Sequence, residues 1–193
     1  SGTTTLASVT GTSAQLAALT VGDATITAVT GSDNATADQI TTILGFTTPS
    51  AYSLTDSVAN LVALPSSTLN GATNLVSTGE ATVAQATVLD AATNSGTTTF
   101  GITDAAANIV GASDALLGLD ANTEIEISDA SITAAVATSL TAQDTAAAGY
   151  TIHHGGNAGV YVLSDTHANL TAAANATAVA ASTSVTVTDT LTV

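Results

Sequence analysis

A ten-residue motif occurs three times in this chain, and it constrains the fold more than any other feature. Tyr52-Ser53-Leu54-Thr55-Asp56-Ser57-Val58-Ala59-Asn60-Leu61 returns as Phe100-Gly101-Ile102-Thr103-Asp104-Ala105-Ala106-Ala107-Asn108-Ile109, and again as Tyr161-Val162-Leu163-Ser164-Asp165-Thr166-His167-Ala168-Asn169-Leu170. The shared pattern is an aromatic, any residue, Leu/Ile, Ser/Thr, Asp, two variable positions, Ala-Asn and Leu/Ile. Copies begin 48 and 61 residues apart, so the second interval carries an insertion of about a dozen residues. The aromatic and the Leu/Ile two positions on share one face of a strand. The Ser/Thr or the Asp then caps a short helix, whose Ala and Leu/Ile face inward. The Asn is expected to bond to a neighbouring coil.

A looser repeat lies between the motifs. Ala35 to Leu44, Ala81 to Leu89 and Ser131 to Leu140 all read as Ala-rich helices, with caps expected at Asp33, Thr78 and Ser128 or Asp129. Ala24 to Val29, Glu124 to Ile127 and Ser184 to Val187 alternate with β-branched residues and read as strands. Strands that alternate with helices favour parallel pairing through helical crossovers. The expected fold is therefore α/β, a repetitive solenoid-like arrangement of short parallel strands and short Ala-rich helices. It spans residues 1–193 as a single repeat domain of roughly three and a half units, with the insertion at about 141–160. With 40 Ala and five aromatic residues, the core must be thin, because Ala and Val cannot fill a wide gap between layers.

Charge narrows the function classes. The 193 residues include no Lys or Arg, 15 acidic residues and three His, a formal net charge of −15. No cation is present to meet a phosphate, which excludes nucleic acid and attachment to an anionic membrane surface. No apolar run is long enough to span a membrane. There is no Cys, hence no disulfide or thiol chemistry. The chain opens Ser1-Gly2-Thr3 without Met, the start expected of a processed product or a fragment. Lack of Lys and Arg also removes every trypsin site, which suits a protein living among proteases.

The motifs resemble the repeats of large proteobacterial and cyanobacterial surface proteins exported by type I secretion, in which strand-Thr-Asp-x-x-Ala-Asn-Leu units are followed by Ala-rich helices and Thr/Val strands. The resemblance extends over Thr20 to Val193. It implies a secreted protein of the cell surface or extracellular matrix. Gly-Asp nonapeptide calcium repeats, with which members often end, do not occur in this sequence.

Several residues invite chemistry. Asp56, Asp104 and Asp165 share one repeat position; stacked in register they form an acidic ladder that calcium can bridge, and read singly they are helix caps. His153, His154 and His167 have poor spacing for a metal site, and no Gly-x-Ser-x-Gly elbow supports a hydrolase. Asn34, Asn169 and Asn175 head glycosylation-type triplets. The expected function is a self-assembling subunit of a bacterial surface filament, S-layer or biofilm matrix, not an enzyme, with other copies of itself as partners. The alternative is a calcium-dependent adhesin module that binds a surface or glycan, with the Gly149 to Gly159 segment and its Tyr150 and His153 as reader; ice binding by Thr-x-Thr ranks behind both. The alternating end, Thr183 to Val193, carries the assembly expectation through Val185, Val187, Leu191 and Val193, because exposed end strands leave backbone groups unpaired and no Lys or Pro blunts them.

Overall fold

The computed structural model describes residues 5–6, 9–19, 25–26, 29–31, 33–45, 51–119, 124–144 and 149–190. In chain order these form β1 (Thr5–Leu6), β2 (Val9–Gly11), α1 (Ser13–Ala17), β3 (Thr25–Ile26), β4 (Val29–Gly31), α2 (Ala37–Leu44), β5 (Leu54–Asp56), α3 (Val58–Val62), α4 (Ser66–Gly71), β6 (Leu75–Ala81) and α5 (Val83–Asp90). They continue as β7 (Thr98–Asp104), α6 (Ala106–Gly111), α7 (Asp114–Leu117), β8 (Glu124–Ile127), α8 (Ala134–Gln143), β9 (Thr151–His154), β10 (Asn157–Ala158), β11 (Val162–Asp165), α9 (His167–Leu170), a 3₁₀ turn at Ala173–Asn175, α10 (Ala176–Ala180) and β12 (Ser184–Val187).

The fold is mixed α/β with a mostly parallel sheet. Six strands lie in the order β10-β9-β8-β7-β6-β5. The pairs β5–β6, β7–β8 and β8–β9 are parallel, and β9–β10 is antiparallel. Three further two-stranded sheets, β1–β3, β2–β4 and β11–β12, are all parallel. Parallel neighbours need a crossover, and here the short helices supply it.

The chain, read from sequence as one repeat domain, has two compact units: residues 1–79 with 87–100, and residues 80–86 with 101–193. In the first, Leu16, Ile40, Leu54, Leu61, Leu75, Leu89 and Phe100 are fully buried. In the second the buried set includes Ile102, Ile109, Leu117, Ile125, Ile152, Tyr161 and Leu163. The motif positions expected inside, Leu54, Ile102 and Leu163 with Leu61, Ile109 and Leu170, are all buried. α8 turns Ala134, Ala137 and Leu140 inward at every third residue, and Ala81, just before α5, and Ala86 within it are fully buried. Side chains this short let a helix lie close to its sheet.

Helix starts follow a local rule that differs from the expected caps. Thr12 and Thr36 accept the N–H three residues on, while Gln15 and Gln39 reach back to close capping boxes. Thr82 and Gln85 make the same pair of bonds ahead of α5, and Thr133 caps α8. The caps placed at Asp33, Thr78 and Ser128 or Asp129 are therefore corrected to Thr36, Thr82 and Thr133. At Thr36 and Thr82 the Thr-x-x-Gln spacing lets the Thr hydroxyl and the Gln side chain each accept one N–H at the helix start.

The insertion expected at about 141–160 begins inside α8 and ends as the β9–β10 hairpin. Gly155 and Gly156, at φ of 61° and 75°, make its turn, a backbone region that side chains with a Cβ rarely adopt.

Candidate functional site

Asp56, Asp104 and Asp165 are held identically. Asp56 Oδ1 accepts the N–H of Ser57 at 2.7 Å and the Asn60 side-chain amide at 2.9 Å, while Oδ2 accepts the N–H of Ala37 at 3.0 Å. Asp104 accepts from Ala105, Asn108 and, through Oδ2, Val83. Asp165 accepts from Thr166, Asn169 and, through Oδ2, Ala134. One oxygen thus organises the residue's own motif, and the other caps the first turn of a helix from an earlier part of the chain: α2, α5 and α8 respectively.

Three more aspartates do the second task. Asp33 accepts the N–H of Ser13 at 2.6 Å, Asp129 that of Ala106 at 2.6 Å, and Asp189 that of His167 at 2.7 Å. Strand register explains the regularity. Gly31 pairs with Gly11, Leu54 with Ala35, Ile127 with Asp104, Leu163 with Ile132 and Val187 with Asp165. In each case the Asp two residues past the pair meets the N–H two residues past its partner. A strand running parallel to its predecessor therefore delivers a carboxylate to the positive start of the helix that the predecessor leads into.

These donors set the ionisation. Burial is the largest single influence on Asp56 and Asp104 and raises them, yet the N–H donors together outweigh it and leave both below the ordinary carboxylate range. For Asp165 the Asn169 amide leads, with burial opposing, and the result is again lowered. Asp33 is lowered chiefly by the N–H of Ser13.

The acidic ladder expected of Asp56, Asp104 and Asp165 does not form. Their register partners are Ser77, Ile127 and Val187, because strands without the motif stand between the motif strands. Among the described residues no group of three or more His, Asp or Glu is arranged to hold a metal. The motif Asn residues likewise bond back to their own Asp and not to a neighbouring coil.

The histidines separate. His167 is exposed in α9, and His153 and His154 point to opposite faces of β9. His153 lines an open depression of about 480 Å³ with Glu80, Thr103, Glu124, Glu126 and Gly156; Thr103 pairs with Glu126 and Glu126 with His153. His154 is buried, its Nε2 2.7 Å from the carbonyl of Asp129 and its Nδ1 3.2 Å from the N–H of Val162.

Tyr150, expected as an exposed reader, is buried and donates to Asp114 at 2.8 Å. That bond and burial raise its hydroxyl well above the usual phenol range, with burial the larger influence. Of the glycosylation-type residues, Asn34 donates to Thr55, Asn169 is engaged by Asp165, and Asn175 is buried.

At the assembly segment, β12 pairs on one side with β11 over Ser184 to Val187. Val185 and Val187 are 44% and 41% exposed. Leu191 and Val193 lie outside the described residues. Among those described, no helix is long and apolar enough to cross a membrane. Comparison with known protein families, with curated proteins and with solved structures finds no match.

Proposed function

We propose that this chain is an extracellular structural subunit, a solenoid-like α/β stack that assembles with copies of itself into a surface filament, S-layer or biofilm matrix. The observation that carries the reading is β12, which among the described residues has one sheet partner and whose Val185 and Val187 are exposed. A strand in that position offers a row of backbone donors and acceptors, and its sequence has none of the Lys or Pro that discourages pairing. A parallel strand from a second copy satisfies those groups and covers the two valines.

The carboxylates support the structural reading in another way. Asp56, Asp104 and Asp165 are occupied as caps, so the motif's polar residues serve the stack itself. Net charge of −15 opposes association at low ionic strength, so added salt should promote it.

The test is electron microscopy and light scattering of the purified chain across a salt series, with Val185→Asp/Val187→Asp beside it. The native chain should form polymers as salt rises, and the double variant should stay a folded monomer. A native chain that remains monomeric at high concentration and salt contradicts assembly. Monomers that attach to a surface only when calcium is present would establish the adhesin alternative.

A further inference from the structure

The surroundings of His154 set different roles for its two ring nitrogens. Its Nδ1 faces the N–H of Val162, which can only donate, and its Nε2 faces the carbonyl of Asp129, which can only accept. A neutral ring with its proton on Nε2 satisfies both groups. A doubly protonated ring satisfies one of them and sets an N–H against the N–H of Val162. The ring is 4% exposed, so water does not take over the lost bond.

The position gives that pair of bonds leverage. His154 ends β9 and pairs with Ile127 of β8 and Asn157 of β10, whereas Val162 begins β11 and Asp129 follows β8. One side chain therefore links β9, the residues after β8 and the start of β11, the strand that pairs with β12. We propose that His154 is an acid-released latch: neutral, it fastens the β9–β10 hairpin to the start of β11, and a second proton on the ring frees that hairpin.

The titratable groups around it do not duplicate this role. Asp129 turns its carboxylate to Ala106 and gives His154 only its main-chain oxygen. Glu126 accepts the N–H of Gly156, and His153 points to the other face. The ring of Tyr161 lies 6.4 Å away, tilted by 43°. Asp144 is raised by burial, with His153 opposing, and adds to the rise that burial gives Tyr161. β10 brings no titratable group, and the sequence holds no Lys or Arg. Histidine in general gains its second proton near pH 6.5, in a range where few other side chains change charge.

The experiment follows the amide of Val162, the ring nitrogens of His154 and hydrogen-exchange protection of β9 and β10 by NMR. It runs from pH 7.5 to 5.0 on the native chain, on His154→Gln and on His153→Gln/His167→Gln, with exchange corrected for its intrinsic pH dependence. In the native chain and the double variant, Val162 should shift and hairpin protection should fall about tenfold or more on acidification, reversibly. His154→Gln retains Asp144 and both other histidines and should show no such fall. Unchanged protection in the native chain to pH 5.0 would overturn the latch, as would an equal loss in His154→Gln. If His154→Gln does not fold, the ring signals decide: a His154 that is doubly protonated at pH 7.5, or that keeps its Val162 contact once doubly protonated, rejects the proposal.

Discussion

Two helices of the first unit, α2 and α3, begin in similar ways and are tied down differently. Each follows a hydroxyl cap: Thr36 accepts the N–H of Gln39, and Ser57 accepts that of Asn60. At α2 a second acceptor arrives from a distant strand, because Asp56 lies two residues past the Leu54–Ala35 pair and meets Ala37. At α3 the same geometry points to residue 79, two past Ser77, the partner of Asp56, and that residue is Gly79. It brings no side chain to Val58; its carbonyl instead accepts the Ser77 hydroxyl at 2.9 Å. The contrast separates two tasks. At α2 the hydroxyl cap starts the helix and the cross-strand aspartate joins it to a later strand; α3 has only the first.

Acid should break the joined junctions together, and this is the largest effect expected. Asp33, Asp56, Asp104 and Asp165 are all lowered in the folded chain. A carboxylate whose folded value is depressed adds stability that is complete above its unfolded value near 3.9 and is lost as pH falls through the folded one. The carboxylate contribution should therefore be constant above about pH 5, and melting should fall by more than about 10 °C between pH 5 and pH 2.5. A flat profile through that window removes the carboxylates from the account. Asp104→Ala should be next in size. It strips the acceptor from Val83, Ala105 and Asn108 at a site 8% exposed, at a cost of about 2–3 kcal/mol. Its melting temperature should drop by about 5–10 °C, with a smaller further fall in acid than the native chain shows.

Much of the local structure was legible in the sequence. The alternation at Glu124 to Ile127 and Ser184 to Val187 became β8 and β12 residue for residue, and the three Ala-rich runs became α2, α5 and α8. Capping boxes are visible in the sequence as Thr12-x-x-Gln15, Thr36-x-x-Gln39 and Thr82-x-x-Gln85, the last two three or four residues after the expected caps at Asp33 and Thr78. What escaped was the aspartates' second partner, which lies 19 to 31 residues away in the chain. No local pattern encodes such a bond, since it depends on which strands pair and in what register. The same blindness placed Asp56, Asp104 and Asp165 in one ladder: equal motif positions do not imply neighbouring strands, and β6 and β8 carry no copy of the motif. A usable signal was present in the recurrence of Asp after strand segments, at Asp33, Asp129 and Asp189 as well as within the motif.

Gly79→Asp converts the odd junction into an ordinary one, and its thermal unfolding tests the cross-strand cap most directly. Nothing lies within 4 Å of a Cβ built at Gly79, so the side chain has room to turn toward Val58. The account predicts a gain of about 0.5–1 kcal/mol, or roughly 2 °C in melting temperature, that disappears in acid. Gly79→Ala, which adds a Cβ but no acceptor, should not reproduce the acid-sensitive part of that gain. Gly79→Asp melting at or below Gly79→Ala at neutral pH would contradict the claim that each strand's aspartate secures the helix before it.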